Sequence, residues 1–432
     1  MPVIVKAALG STTTGTGTVA LGGGGLLGGL TPIAALIWAC GAAGEQDHAT
    51  MSIGMTDGTT HANTAYTSEH NKGSTDTARL WDEADVLRLM DPNAGGTKGS
   101  RIDISHSSFT ADTWTVSVDK NEDSEDVLLT AILFAGSDLQ ADVIIGTSHA
   151  DAASSVTLDH EFNTELNQMG FVIGNHDTGT GESNGASISF GGYSGTTDSA
   201  VRQCALGKIS VDNASTGINQ GAAIFVRFLC NLDGSSSRDS LDVESVSDDG
   251  VTFITRVGGG NKFASLCLDL GTADGRWHGF LGPAAGAATD WTVTGVEFTP
   301  QIMGLLQSDM VTAEISLGDD TCESFAMSVQ DSDGNMRCTQ LLEEDESDNT
   351  VTASHCIDDV LLGTKDYDGA GATRDLTLSA VEGTATFNSD GFTLAAVDQT
   401  TVLTTEVIHV GWFIGETIAP EPDLPNFIQM II

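Results

Sequence analysis

Four landmarks recur three times along the chain in one order and at nearly one spacing. An apolar segment preceded by a turn begins at Thr31 ("TPIAALIWACG"), Glu165 ("ELNQMGFVIGN") and Thr299 ("TPQIMGLLQSD"), separated by 134 residues each time. A Ser-led alternating segment follows at Ser52, Ser187 and Ser324. A turn-plus-strand motif comes next: "FTADTWTVSVD" at 109–119, "VSDDGVTFITRV" at 246–257 and "FNSDGFTLAAVD" at 387–398. An apolar run closes each unit at Gly136, Gly271 and Gly415. A period this long is a whole domain and not a solenoid repeat. The expected division is therefore 1–138, 139–272 and 273–418, followed by a tail at 419–432, with Trp38, Phe171 and Leu305 at matching strand positions.

Within each unit the periodicity is that of strands. "TWTVSVD" and "VTFITRV" place bulky residues two apart, as a half-buried strand requires. Asp-Gly pairs at 57–58, 249–250, 333–334 and 390–391 supply tight reversals. The expectation is an all-β chain of three tandem antiparallel β-sandwich modules, jelly-roll-like in type. Two segments, 75–92 ("TDTARLWDEADVLRLMDP") and 354–363 ("SHCIDDVLLG"), carry helix-favouring residues and are expected to form short helices in loops.

Charge narrows the function. The chain has 60 acidic residues against 17 basic ones, a net charge of −43. Binding nucleic acid through its phosphates needs Lys and Arg, so that class is excluded. Self-repulsion of this size is tolerated best in brine, where at about 1 M salt the Debye length shrinks to roughly 3 Å.

The uncharged stretch 7–44 imitates a membrane span, a lipoprotein signal and a dinucleotide-binding turn (Gly23 to Gly28 fits G-x-G-x-x-G). Eight glycines between Gly15 and Gly29 make a poor helix, and Pro32 follows where a Rossmann helix would run. Membrane insertion and cofactor binding are not expected. The seven cysteines form no C-x-x-C pair and read as free core thiols.

No histidine pair has metal-ligand spacing, and no G-x-S-x-G elbow is present, so no catalytic residue is assigned and a non-enzyme is expected. "DSDGN" at 331–335 resembles the first half of a calcium loop, which makes Asp331 and Asp333 the metal candidates beside a plain-turn reading. The tail "APEPDLPNFIQMII" has three prolines and then Phe427, Ile428, Met430, Ile431 and Ile432, an extended strap expected to dock on a neighbouring subunit or partner.

The Pro-led apolar strand at Thr31-Pro32 and Thr299-Pro300, with "FNSDGFTL" at 387–394, resembles the tandem β-modules of tailed-virus structural proteins. With the acidic composition, the resemblance implies a virus of a salt-loving archaeon. It further implies a non-enzymatic virion protein on the particle surface, a tail fibre or baseplate component with a role in host attachment. A capsid turret or decoration protein is the close rival, and a halophile surface adhesin or carbohydrate-binding protein the next. The implied partners are copies of itself (a trimer, pentamer or hexamer), other virion proteins, and a host surface glycan or surface-layer protein.

Overall fold

A computed structural model describes residues 4–416 apart from 13–14, 42–48, 69–76, 92–98, 123, 125, 161, 163–166, 176–178, 196–200, 211–218, 225–228, 233–237, 248, 258, 283–289, 309–323, 347–348, 360, 369–374, 382–384 and 395–407. Among the described residues there is no helix, and every strand ladder is antiparallel.

The first third supplies β1 (Ile4–Ser11), β2 (Gly17–Gly22), β3 (Ala34–Cys40), β4 (Ala49–Thr56) and β5 (His61–Ser68). It continues with β6 (Thr77–Asp82), β7 (Leu87–Asp91), β8 (Gly99–Thr110), β9 (Thr113–Asn121) and β10 (Leu128–Ala135). One sheet runs β1-β10-β3-β4-β5-β6 and a smaller one β2-β9-β8-β7.

The next stretch supplies β11 (Gln140–Thr147), β12 (Ser155–Asp159), β13 (Gln168–Gly174), β14 (Gly181–Asn184), β15 (Ala186–Gly195) and β16 (Arg202–Ser210). After these come β17 (Asn219–Ile224), β18 (Leu229–Leu232), β19 (Arg238–Val246), β20 (Gly250–Val257) and β21 (Lys262–Asp269). The orders are β11-β21-β13-β15-β16-β17 and β12-β20-β19-β18, while β14 crosses over to pair with β6.

The last stretch supplies β22 (Ala273–Leu281), β23 (Trp291–Val293), β24 (Thr299–Ser308), β25 (Ser324–Asp331), β26 (Met336–Glu346) and β27 (Asn349–Asp358). It ends with β28 (Leu362–Asp368), β29 (Asp375–Val381), β30 (Ala385–Asn388), β31 (Gly391–Leu394) and β32 (Ile408–Glu416). Here the large sheet runs β22-β32-β24-β25-β26-β27, and the small sheet is split into β23-β31-β30 and β28-β29. With β14 set aside, the order of the large sheet is thus the same three times, first strand beside last and then the third to sixth in turn. In each stretch the second strand likewise pairs with the last but one, which nests the ends of the stretch inside one another.

Burial explains the two kinds of strand. In β9, Trp114, Val116 and Val118 are buried and alternate with half-buried Thr113, Thr115 and Ser117, because only one face meets another sheet. In β3, β13 and β25 every residue is buried. One face of each large sheet packs on its small sheet: Ile37 and Leu133 join a cluster with Leu21 and Val116, Val172 joins Val251 and Phe253, and Leu305 joins Phe392 and Leu394. The opposite faces of all three large sheets meet in one core containing Trp38, Phe134, Phe171, Phe190, Trp277 and Trp412. Phe171 is its hub, with ring centroids 5.7 Å from Phe134, 5.6 Å from Trp277 and 5.2 Å from Trp412.

The contacts between stretches run in one direction. Strand β5 touches β11, β13 and β15; its counterpart β16 touches β22 and β24; and β26, the third counterpart, touches β3 and β4. The last stretch therefore docks back on the first.

Three local expectations are corrected. In the segment 75–92 the described residues, 77–91, contain no helix: β6 and β7 are joined by a turn in which Asp82 Oδ1 accepts the amides of Ala84 and Asp85 at 2.6 and 2.9 Å. Pairing of β6 with β5 and of β7 with β8 outweighs the modest helix propensity of the segment. Residues 354–358 likewise belong to β27, paired along β26. Finally, Trp38, Phe171 and Leu305 would occupy matching positions by spacing, but Leu305 faces the small sheet and Leu306 faces the shared core. A one-residue offset turns a strand side chain to the other face.

Candidate functional site

The thrice-repeated turn has one structural task. Gly23 N donates to Asp112 O at 2.7 Å, His160 N to Asp249 O at 3.0 Å, and Val296 N to Asp390 O at 3.1 Å. In each case the aspartate sits between the third-last and second-last strands of its stretch, and the donor comes from the connection between the second and third. Two of the carboxylates add to this. Asp112 Oδ1 accepts from Leu27 N (2.7 Å) and Gly29 N (2.8 Å), and Asp390 Oδ1 accepts from Glu297 N (2.8 Å). Amide bonds from Glu297 and Gly295 hold the carboxyl of Asp390 below the usual carboxylate range.

The Gly-rich loop thus turns its amide donors on a carboxylate of its own chain, where a dinucleotide-binding turn would present them to a phosphate. Gly22 is required there: its φ is +95°, and a Cβ would lie 2.5 Å from Asp112 O.

The junctions between stretches carry further polar contacts. Between the first and second, Asn175 Nδ2 donates to Leu80 O (2.8 Å), Arg79 Nη1 to Gly185 O (2.9 Å) and Val143 N to Asp57 Oδ2 (2.9 Å). Between the second and third, the Trp277 indole lies over Gly192, where a Cβ would come within 2.3 Å of the ring, and its Nε1 donates to Gly170 O at 3.0 Å. Between the third and first, buried Arg337 donates from Nη1 to Leu129 O (2.6 Å) and Gly10 O (3.2 Å) and pairs with Asp358 through Nε.

A cleft of about 370 Å³ opens at the second of these junctions, lined by Arg202, Gln203, Cys204, Trp277, His278 and Gly279. Arg202 and Arg276 converge on Glu297, at 3.2 and 2.8 Å. The bond to Arg276 lowers the carboxyl of Glu297, and burial followed by the two guanidinium charges lowers His278. Burial pushes the Cys204 thiol up to about 12, so it is protonated at neutral pH and a poor nucleophile. The cleft presents the Arg202 guanidinium, its charge already matched by Glu297, while the Trp277 ring lies buried in the shared core.

The residues singled out from the sequence lie elsewhere. Asp331 is buried, and its carboxylate accepts Asp333 N, Asn335 N and Asn335 Nδ2 at 2.9, 3.0 and 2.9 Å. Asp333 is exposed on that turn. The turn is closed by Asp331 itself, and among the described residues no group of three or more His, Cys, Asp or Glu side chains is placed to hold a metal. Phe427, Ile428, Met430, Ile431 and Ile432 lie outside the described residues. Arg202, Arg337 and Trp277 were not legible as junction residues, because nothing local in "VRQC", "MRCT" or "RWHG" marks a contact made across the fold. No protein-family model and no curated protein matches the chain.

Proposed function

We propose that the chain is one β-sandwich repeated three times, over 1–138, 139–272 and 273–418, and closed head to tail. We further propose that it serves as a non-enzymatic structural protein on the surface of a halophilic virus particle. The observation that carries this reading is the core shared by the three large sheets. It joins the three stretches in one compact body. The charge distribution supports the brine half of the proposal: among the described acidic residues only Asp269 and Asp331 are buried.

A shared core favours a compact block over an extended stalk. Within the virion reading, a capsid decoration or turret protein therefore stands ahead of a tail fibre, with a baseplate ring as the second reading. Host attachment through a surface glycan or surface-layer protein would use the repeated loops, and the strap at 419–432 would dock on another copy or another virion protein.

Localising the protein in purified particles by cryo-electron microscopy tests the proposal, which expects one compact lobed density per copy at the surface. Absence from particles washed in molar salt would overturn it. A melting temperature that does not fall between molar and ~0.1 M salt would remove the brine argument.

A further inference from the structure

The turn that joins β4 to β5 also ties the first stretch to the second. Asp57 Oδ1 accepts from Thr59 N and Thr60 N at 2.7 Å each, and Asp57 Oδ2 accepts from Val143 N of β11 at 2.9 Å. Two rings of β8 support this turn. A Cβ on Gly58 would lie 3.3 Å from the Phe109 ring and 3.9 Å from His106. The His106 ring meets Phe109 edge-on, with centroids 4.8 Å apart, and stacks at 5.6 Å on His61, the first residue of β5. His61 Nδ1 lies 2.7 Å from the Thr56 hydroxyl, which also accepts from Gly58 N at 2.8 Å.

One hydrogen bond fixes the protonation state of His106. Buried Trp114, on β9, donates from Nε1 to His106 Nδ1 at 3.0 Å. An indole nitrogen can only donate, so Nδ1 is the bare acceptor and the neutral ring carries its proton on Nε2. A second proton would have to sit on Nδ1, facing the indole N–H. It would leave that buried N–H without an acceptor and set a positive charge beside His61.

We propose that His106 is an acid-sensitive latch: protonation at Nδ1 breaks its bond with Trp114 and loosens the 57–60 turn from the second stretch. Burial, followed by the charge of His61, lowers His106, against an opposing pull from Asp57. Burial likewise lowers His61, opposed by Asp57 and the Thr60 backbone. Asp57 is thus the carboxylate that bears on both rings, while Phe109 of β8, Trp114 of β9 and Val143 of β11 bring no charge. The folded state refuses a proton that the unfolded chain takes up below about pH 6.5. The latch is therefore closed above that pH and opens as pH falls below it.

The test labels the full-length protein with nitrogen-15 and follows its histidine, indole and amide signals by NMR in molar salt, from about pH 7.5 to about pH 4.5. At the upper end, His106 Nδ1 should show the shift of a bare nitrogen and Nε2 that of a protonated one. On acidification His106 should titrate below the ordinary value of about 6.5, and the Trp114 indole and Val143 amide signals should move with the same midpoint. In His106→Asn, whose side-chain oxygen accepts from the indole but takes no proton, both signals should hold still across this range. A protonated Nδ1 at the upper end, a midpoint at or above about 6.5, or a Val143 signal that ignores the His106 titration overturns the proposal. Should the variant misfold, the wild-type titration alone decides.

Discussion

Strands β12 and β13 are neighbours in sequence and opposite in character. In β12, "SVTLD", exposed Ser155, Thr157 and Asp159 alternate with half-buried Val156 and Leu158. In β13, "QMGFVIG", all seven residues are buried. The first covers one face of a sandwich; the second is pressed between its own small sheet and the core shared with the other stretches. The small sheets also vary more: the continuous β2-β9-β8-β7 of the first stretch becomes two pieces in the last. A sheet covered on one face tolerates such interruption, whereas the large sheets keep one order throughout.

The largest expected effect comes from removing the hub of the doubly covered layer. Phe171→Ala should cost about 3–5 kcal/mol, whereas Val116→Ala, in a small sheet, should cost about 2 kcal/mol or less. Equal losses in chemical denaturation would break the distinction. Gly192→Ala comes next, since its Cβ would meet Gly170 O at 2.1 Å and the Trp277 ring at 2.3 Å. A destabilisation of about 3 kcal/mol is expected. A shift in indole fluorescence should accompany it, and an unchanged spectrum would mean that the ring is not seated there.

Acid should act mainly through β32 in the same layer. Burial lowers His409 to about 3, so on unfolding below about pH 6.5 it binds a proton that the folded state refuses. Its contribution is present above that pH and is lost as pH falls from 6.5 toward 3, by roughly 1.4 kcal/mol per unit at most. At pH 5 the loss should be about 2 kcal/mol. In His409→Phe, whose ring suits the stack with Phe280 and Trp291, the melting curve should depend less on pH in this window.

The smallest effect belongs to the rim. Asp85, in the turn between β6 and β7, is raised to about 6 by burial and then by Asp82 and Asp103. A raised carboxylate is destabilising when ionised, so this group favours folding as pH falls from about 6 toward 3.8, opposite in sign to His409. Asp85→Asn should stabilise the protein at pH 7 by about 1 kcal/mol or less after solvent screening. Arg88 keeps Asp82 and Asp103 as partners at 2.7 and 2.9 Å. A loss of stability in thermal melts would show that the 3.7 Å pair with Arg88 outweighs the crowding of carboxylates.

Strand character and the turn that carries Asp112, Asp249 and Asp390 were legible in the chain alone. Each of these is written in a period of two or in a short motif whose physics is local. Local reading failed at 75–92, where propensity pointed to a helix and neighbouring strands supplied stronger pairing. Leu305 was misplaced for a related reason: in a strand buried on both sides, apolar residues fill every position and alternation no longer says which face is which. Sheet packing alone settles that the large sheets share a core, that Trp277 covers Gly192, and that Arg337 reaches Gly10 and Leu129. These contacts join residues up to 327 positions apart. They depend on how completed sheets pack, and no short stretch of sequence carries that information.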